Sequence, residues 1–195
     1  WRVVPSDSDD AHAASMWSNV YELNNVAMIH VDNGFGRSFA STYSAVYTSG
    51  AICATLSFPT NPTDAELTSV RNDAVNAGCE HAVIAADDTD TARLIPKIKD
   101  SMSEARVVIS HQSAYAEFPE LVPAQVREKL LGVVGANMST EWTSPLQNQF
   151  DSDYLASYGS DAPSHAGPSY DAAMILVQAV IQAGSSTGSD INAAI

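Results

Sequence analysis

The sequence predicts an α/β protein built as a three-layer, doubly wound parallel sheet with strand order 2-1-3-4-5, on three observations. Short runs that are apolar throughout, such as VAMIHV (Val26 to Val31), recur along the first two thirds of the chain, as strands buried on both faces of a sheet require. Between them lie longer segments whose apolar residues return every three or four positions, the period of a helix resting on a surface. The two kinds alternate strictly, and strand–helix–strand units with right-handed crossovers build a parallel sheet covered on both sides.

Each element carries its own signal. A helix over 9–24 opens on acidic residues, which suit the positive end of its dipole, and Ala13, Met16, Trp17, Val20 and Leu23 form the face expected to turn inward. VAMIHV is the first strand. VDNGFG (31–36) then leads into a helix over 36–49, with Phe39, Tyr43, Val46 and Tyr47 inward and Gly50 as its stop. AICATLSF is the second strand, closed by Pro59. Thr63 to Glu66 has the T-x-x-E form of a capping box and opens a helix with Leu67, Val70 and Ala74 inward, ended by Gly78. HAVIAA is the third strand. Asp90 is expected to cap the helix after it, and Pro96 to kink that helix, because the ring removes a donor and crowds the preceding turn. ARVVIS is the fourth strand, PAQVREKLL a short helix and GVVGANM the fifth strand.

Beyond Ser139 the alternation stops. SPLQNQFDSDYLASYG reads as a helix capped by Ser144, with Pro145 at its first position. The linker SDAPSHAGP follows, then the strongly apolar helix SYDAAMILVQAVIQAG, with Tyr170, Ala173, Val177, Val180 and Ile181 on one face, and finally GSDINAAI. Residues 1–138 are therefore expected to form a parallel α/β unit. Residues 139–195 are expected to be a crossing and a helical segment whose partner surface lies outside this chain.

Among 195 residues, 23 are acidic and 9 basic, for a net charge of −14. Nucleic acid and anionic membranes both select a positive face, so neither is expected as a partner. An acidic, solvated surface suited to salty or extracellular conditions accounts for the charge. No apolar run reaches the eighteen or so residues of a membrane span. The two cysteines, Cys53 and Cys79, make no CxxC pair and are expected to be separate buried thiols, a bridge between them being the alternative for an exported chain. The opening WRVVPSDSDD has neither an initiator Met nor a signal-like segment and is expected to be a processed boundary. Asn137 to Ser139 matches a glycosylation sequon.

Ligands of open α/β sheets bind outside the carboxyl ends of the strands. Here those ends carry Asp32 to Gly36, Asp87 to Asp90, and His111, Gln112, Ser113 and Tyr115. A dinucleotide loop is excluded, because Gly34 and Gly36 fit G-x-G-x-x-G but Phe39 stands where the last glycine belongs. No phosphate-binding G-x-x-x-x-G-K-[ST] occurs either. Asp32, Asp87 and His111 could converge around Mg²⁺ for phosphoryl transfer. Such a site needs a cation for the phosphate, yet the only lysines are Lys97, Lys99 and Lys129, and Arg37 is the only basic residue near these turns. Helix capping is the competing use of Asp32 and Asp87. His12, His30, His81 and His165 show no metal-ligand spacing. No catalytic residue, metal or cofactor is expected.

Three stretches, in order, are VVPSDSDDAHAASM (3–16), VAMIHVDNGFGRSFASTYSAVYTSGA (26–51) and PSYDAAMILVQAVIQAGS (168–185). With these the chain resembles the type I periplasmic binding proteins, particularly the branched-chain amino acid receptors of ABC importers, and is similar to the ligand domains of class C receptors. The first looks like the family's entry into its second lobe, the second like its strand, D-x-x-Y-G turn and helix, the third like a helix opening on Y-D-A and ending in A-G-S. The resemblance implies two α/β lobes joined by three crossings with the ligand trapped between them. Residues 7–138 then correspond to the second lobe and 144–195 to the return into the first. Crossings fall near Pro5 and over 139–143, and the chain is a piece of a larger receptor.

The resemblance also places a site. Phe35 stands where the D-x-x-Y-G tyrosine packs on the ligand, beside Gly36. Asp87 stands where an aromatic residue is common, and Gln112, beside Ser113, where amino-acid binders often place an acid for the ligand ammonium. The implied function is non-catalytic: the solute-binding component of an ABC importer, periplasmic or extracellular, with a lipid anchor open for the full-length protein. It would hold a small polar or amphipathic ligand, an amino acid or related compound, and meet the transporter permease at the membrane periphery. A sensory ligand-binding domain of a membrane receptor is the alternative, and an Mg-dependent phosphoryl-transfer enzyme using Asp32 the remote one.

Overall fold

The computed structural model describes residues 5–135, 144–163 and 166–195. The chain divides into two compact units, one of Ser6–Asn137 and one of Met138–Ile195 with Trp1–Pro5. In the first, five parallel strands run in the order β2-β1-β3-β4-β5, as expected: β1 (Val26–Val31), β2 (Ile52–Phe58), β3 (His81–Ala85), β4 (Val107–Ile109) and β5 (Val133–Gly135). Ala136 to Met138, the end of the run read as the fifth strand, lies outside the described residues. So do the sequon, the crossing over 139–143, Trp1 to Val4 before Pro5, and His165.

The central strands are almost wholly apolar because successive side chains enter different cores. Ala27, Ile29 and Val31 of β1, with Ile84 and Ile109, pack against helices α3 (Asp64–Asn76) and α4 (Asp88–Ser101) through Leu67, Val70, Ala74, Leu94, Ile95 and Ile98. Val26 and Met28, with Val83, Ala85 and Val108, pack against α1 (Asp7–Val20) and α2 (Gly34–Val46) through Ala11, Ala14, Phe39, Ala40, Tyr43 and the flanking Tyr47.

The face of α1 differs from expectation. Its buried residues are Asp10, Ala11, Ala14, Ser15 and Ser18, while Met16 and Val20 are 67% and 69% exposed. Size decides the face. The surface it meets is the stacked ladder of Phe39, Tyr43 and Tyr47 on and just after α2, with centroids 6.4 and 5.2 Å apart, and only small side chains fit against rings that large. The helix also starts earlier than expected, at a capping box of Ser6 and Asp9, and ends at Val20.

Helix α2 begins at Gly34, with Asn33 as its cap, accepting from the Gly36 amide at 2.9 Å. The capping box of Thr63 and Glu66 on α3 is as expected, and Gly78 follows that helix at a positive φ of 73°. Helix α4 is capped by Asp87 rather than Asp90, and it continues through Pro96 to Ser101. The PAQVREKLL segment forms a 3-10 helix, Ala124–Leu130, after a single turn, α5 (Phe118–Leu121).

Cys53 and Cys79 are joined in a disulfide, Cα to Cα 5.6 Å, which corrects the expectation of separate thiols. The register explains the reach. Val26 pairs with Ile52 and Ala27 with Ala54, so Cys53 falls at the shift and out of the ladder.

The second unit contains α6 (Pro145–Tyr158), α7 (Ala166–Ala183) and α8 (Gly188–Ala194). Ser144 caps α6 as expected, and Gly159 ends it at φ 73°. Phe150, Tyr154 and Tyr158 of α6 form a row of ring contacts that Tyr170 of α7 joins at 5.2 Å from Phe150. On α7 the expected inward face is not buried: Tyr170, Val177 and Ile181 are exposed, and Ala179 is the buried residue of the helix. Asp171, Gln178 and Gln182 share the opposite side at helical spacing, so the apolar face is set by the pattern, and it stays exposed among the described residues.

Candidate functional site

The carboxyl ends of β1, β3 and β4 bring together the turns that the sequence marked. Phe35, the second residue of α2, is half-buried and touches both cores. Its ring lies 6.0 Å from that of Phe39 and 5.9 Å from the His111 imidazole, the latter two planes 88° apart. Gly36 is buried, and a Cβ there would stand 2.0 Å from the Val31 carbonyl oxygen. It has no side chain to offer; its role is to let α2 approach the end of β1.

The rim aspartates are engaged within the fold. Asp32 accepts from Arg37 at 2.6 Å, an exposed pair worth at most about 1 kcal/mol. Asp87 accepts from the Asp90 amide at 2.9 Å, which is the helix cap, although the residue stays exposed. Asp88 accepts from the Tyr115 hydroxyl, whose pKa burial and this neighbour push upward. Asp90 is buried against Arg93 at 3.0 Å, and burial, then the charge of Asp87, raises its pKa.

From the end of β4, Gln112 is half-buried at the rim. Ser113 is fully buried, and its hydroxyl lies within hydrogen-bond reach of the Ala86 carbonyl and Thr91 Oγ1, at 3.3 and 3.0 Å, so it braces the turn from inside.

His111 is fastened more firmly than the sequence suggests. Its backbone amide donates to both Asp10 carboxylate oxygens, at 3.1 and 3.2 Å, and its Nδ1–H donates to Asp10 Oδ2 at 2.8 Å. The Asp10 side chain is 3% exposed and that of His111 32%. The hydrogen bond to Asp10 raises the imidazole pKa, burial opposes it, and the charges of Asp10 and Asp7 add to the rise. Asp10 is the site residue that sequence reasoning missed. It stands in the run SDSDD, whose evident use is to start a helix, and nothing local marks it as a partner for a histidine on another element.

The rim therefore offers an aromatic wall, an oriented imidazole and a carboxamide beside a row of engaged carboxylates. Among the described residues, no group of three or more His, Cys, Asp and Glu side chains is placed to hold a metal ion, and no helix is long and apolar enough to cross a membrane. A hollow of about 920 Å³ lies in the second unit, along the rings of α6 and Tyr170, and one of about 370 Å³ beside β4 and β5 takes in Ser113 and Tyr115 of the rim.

The family model described as periplasmic binding protein matches residues 1–195. No curated protein matches the sequence. Among solved structures, the chain is similar to an ABC transporter solute binding protein from R. palustris in complex with 4-hydroxybenzoate: 13% identity, TM-score 0.81, covering 100% of this chain and 54% of that one. A type 1 periplasmic binding protein from Bordetella pertussis Tohama I matches at 19% identity and TM-score 0.76, over 96% of this chain and 53% of that one. The branched-chain amino acid transporter substrate binding protein of Streptococcus pneumoniae, in complex with isoleucine, matches at 15% and 0.73, over 96% and 53%. At such identities the likeness is one of fold. The chain spans about half the length of the structures it matches.

Proposed function

The chain belongs to the periplasmic binding protein family, and from that premise we propose that it carries one ligand-gripping rim of an exported, non-catalytic solute receptor that serves an ABC importer. The family match over residues 1–195 carries this reading. The solute is small and polar or amphipathic, an amino acid or a related compound, and its apolar part rests on Phe35 with His111, Gln112 and the exposed edge of Asp87 around it. Relatives in fold that hold 4-hydroxybenzoate or isoleucine support a ligand of this size and mixed character.

Residues 7–138 form the second lobe in this reading and 144–195 return into the first. Half of the ligand contacts then belong to the other lobe, and closure of the two around the solute supplies much of the affinity. The Cys53–Cys79 bridge supports a place in the periplasm or outside the cell, where disulfides persist. The partner at the membrane is the importer's permease. Rim carboxylates that cap helices or pair with Arg37, Arg93 and Tyr115 support binding rather than catalysis.

Mass spectrometry of small molecules released from the purified full-length receptor tests this, followed by calorimetry on that receptor and on residues 1–195. The expected result is one co-purified small solute, bound tightly by the whole receptor and at least tenfold more weakly by residues 1–195. Equal affinity of the two, or turnover of the solute, would overturn the reading.

A further inference from the structure

The rim carboxylates share one property: each already has a partner. Asp32 holds Arg37, Asp87 the Asp90 amide, Asp88 the Tyr115 hydroxyl, Asp90 the Arg93 guanidinium, and Asp10 the amide and Nδ1–H of His111. Against them stands a ring nitrogen with none. Nδ1 is bound to Asp10, and Nε2 of the same ring has no partner among the described residues although the side chain is 32% exposed. The ring cannot turn away, because the carboxylate grips its backbone amide and its Nδ1–H together, and Phe35 packs against it at 5.9 Å with planes 88° apart.

A carboxylate buried to 3% exposure and spent on one histidine does what a positioning group does: it fixes the tautomer and favours the imidazolium. We propose that His111 is the polar recognition residue of this rim, donating from Nε2 to the carboxylate of a small organic acid whose apolar body lies on Phe35, with Asp10 positioning it. This rests on the reading of the chain as a solute receptor and narrows its ligand to anions.

The chemistry follows from the ring. With Nδ1–H given to Asp10, a neutral imidazole presents Nε2 as an acceptor and an imidazolium presents it as a donor. Asp10 and Asp7, both on α1, are the charges that act on the ring, and both favour the cation. From α2 it meets the uncharged Phe35. The Asp10–His111 pair is then close to neutral overall, so the donor brings no net negative charge of its own; Asp87 and Asp88, partnered only by a neutral amide and a neutral hydroxyl, keep theirs, and the oriented N–H has to outweigh them.

Three probes with one ring and different head groups test the proposal: benzoate, benzyl alcohol and benzylamine, titrated into the full-length receptor while NMR follows the Phe35 ring and the His111 imidazole. Benzoate is expected to move both sets of signals and to raise the His111 titration midpoint; benzyl alcohol and benzylamine are expected to move Phe35 less and His111 not at all. His111→Ala should weaken benzoate roughly tenfold, the loss expected for a charged hydrogen bond. Asp10→Asn keeps an acceptor for the ring but removes the charge, so benzoate binding should fail at a lower pH than in the wild type.

Phe35 signals that respond while His111 stays silent overturn this proposal and leave the receptor site standing. A benzylamine response equal to that of benzoate overturns it as well, as does an Asp10→Asn variant whose pH profile is unmoved. Silence of both rings toward benzoate in the full-length receptor overturns this proposal, while the receptor reading stands or falls on the co-purified solute.

Discussion

The Tyr43 hydroxyl donates to Ser18 Oγ at 2.9 Å, and Ser18 donates in turn to the Ala14 carbonyl at 2.9 Å. This buried relay joins α2 to α1 and satisfies the one polar atom of a fully buried ring. Burial pushes the Tyr43 pKa well up, so the phenol stays neutral and remains a donor. Tyr43→Phe should cost about 1 kcal/mol, the net worth of a buried neutral hydrogen bond, with the ring packing kept. Ser18→Val, which drives a branched side chain into the same ring, should cost about 1–3 kcal/mol. Urea unfolding of both variants checks the order; a Tyr43→Phe protein less stable than Ser18→Val would mean that the hydrogen bond, not the fit, sets the α1 face.

Gly34 and Gly36 stand two residues apart at the start of α2 and should respond in opposite ways to a methyl group. A Cβ at Gly34 meets nothing within 4 Å, whereas one at Gly36 meets the Val31 carbonyl oxygen at 2.0 Å. Gly34→Ala should be neutral or stabilise the lobe by about 0.5 kcal/mol through reduced freedom of the unfolded chain. Gly36→Ala must push α2 off the end of β1 and should cost about 3 kcal/mol. Thermal melts of the pair decide it: equal midpoints would show that the helix start yields without strain.

Features set by adjacent residues were legible in the sequence, and features set by distant fits were not. The central strands β1, β3 and β4 read clearly because burial on both faces leaves a nearly unbroken apolar run, and the partly exposed edge strand β2 still reads through Ile52, Leu56 and Phe58. The Thr63–Glu66 capping box is complete within four residues. Asp87 and Asp90 both suit a helix cap, and only the end of β3 chooses between them. The larger apolar stripe of α1 is the face its own pattern favours; the rings of α2 are legible as an inward stripe, but that they face α1 and select its Ala and Ser side chains is set only by the fold. Asp10 and His111 are 101 residues apart, so their contact exists only in the folded sheet. The disulfide depends on a register shift of one residue.

That disulfide should stabilise the sheet mainly by restricting the unfolded chain. It closes a segment with a sequence separation of 26, for which loop-closure entropy gives about 3.5 kcal/mol. Reduction under equilibrium unfolding should lower the melting point by roughly 10 °C in a lobe of this size. The Cys53→Ser, Cys79→Ser double variant should match the reduced wild type and ignore reductant. A wild-type melting point unmoved by full reduction would show that native packing around the two sulfurs already holds β2 and α3 in place.

The Asp10–His111 contact predicts a definite pH dependence of stability. The folded-state pKa of His111 lies above the ordinary imidazole value of 6.5, chiefly through its hydrogen bond to Asp10. A histidine raised by folding contributes stability that is complete below the unfolded pKa and is lost as pH rises through the folded pKa. The contribution should therefore be full at about pH 5.5 and decline from about pH 6.5 upward. His111→Gln keeps a donor for Asp10 but cannot titrate, so subtracting its stability curve from that of the wild type removes the other histidines. The difference should be largest in acid and shrink toward about pH 9. A flat difference would mean that Asp10 binds neutral and charged imidazole equally, and that the backbone amide of His111 is the partner for which the carboxylate is buried.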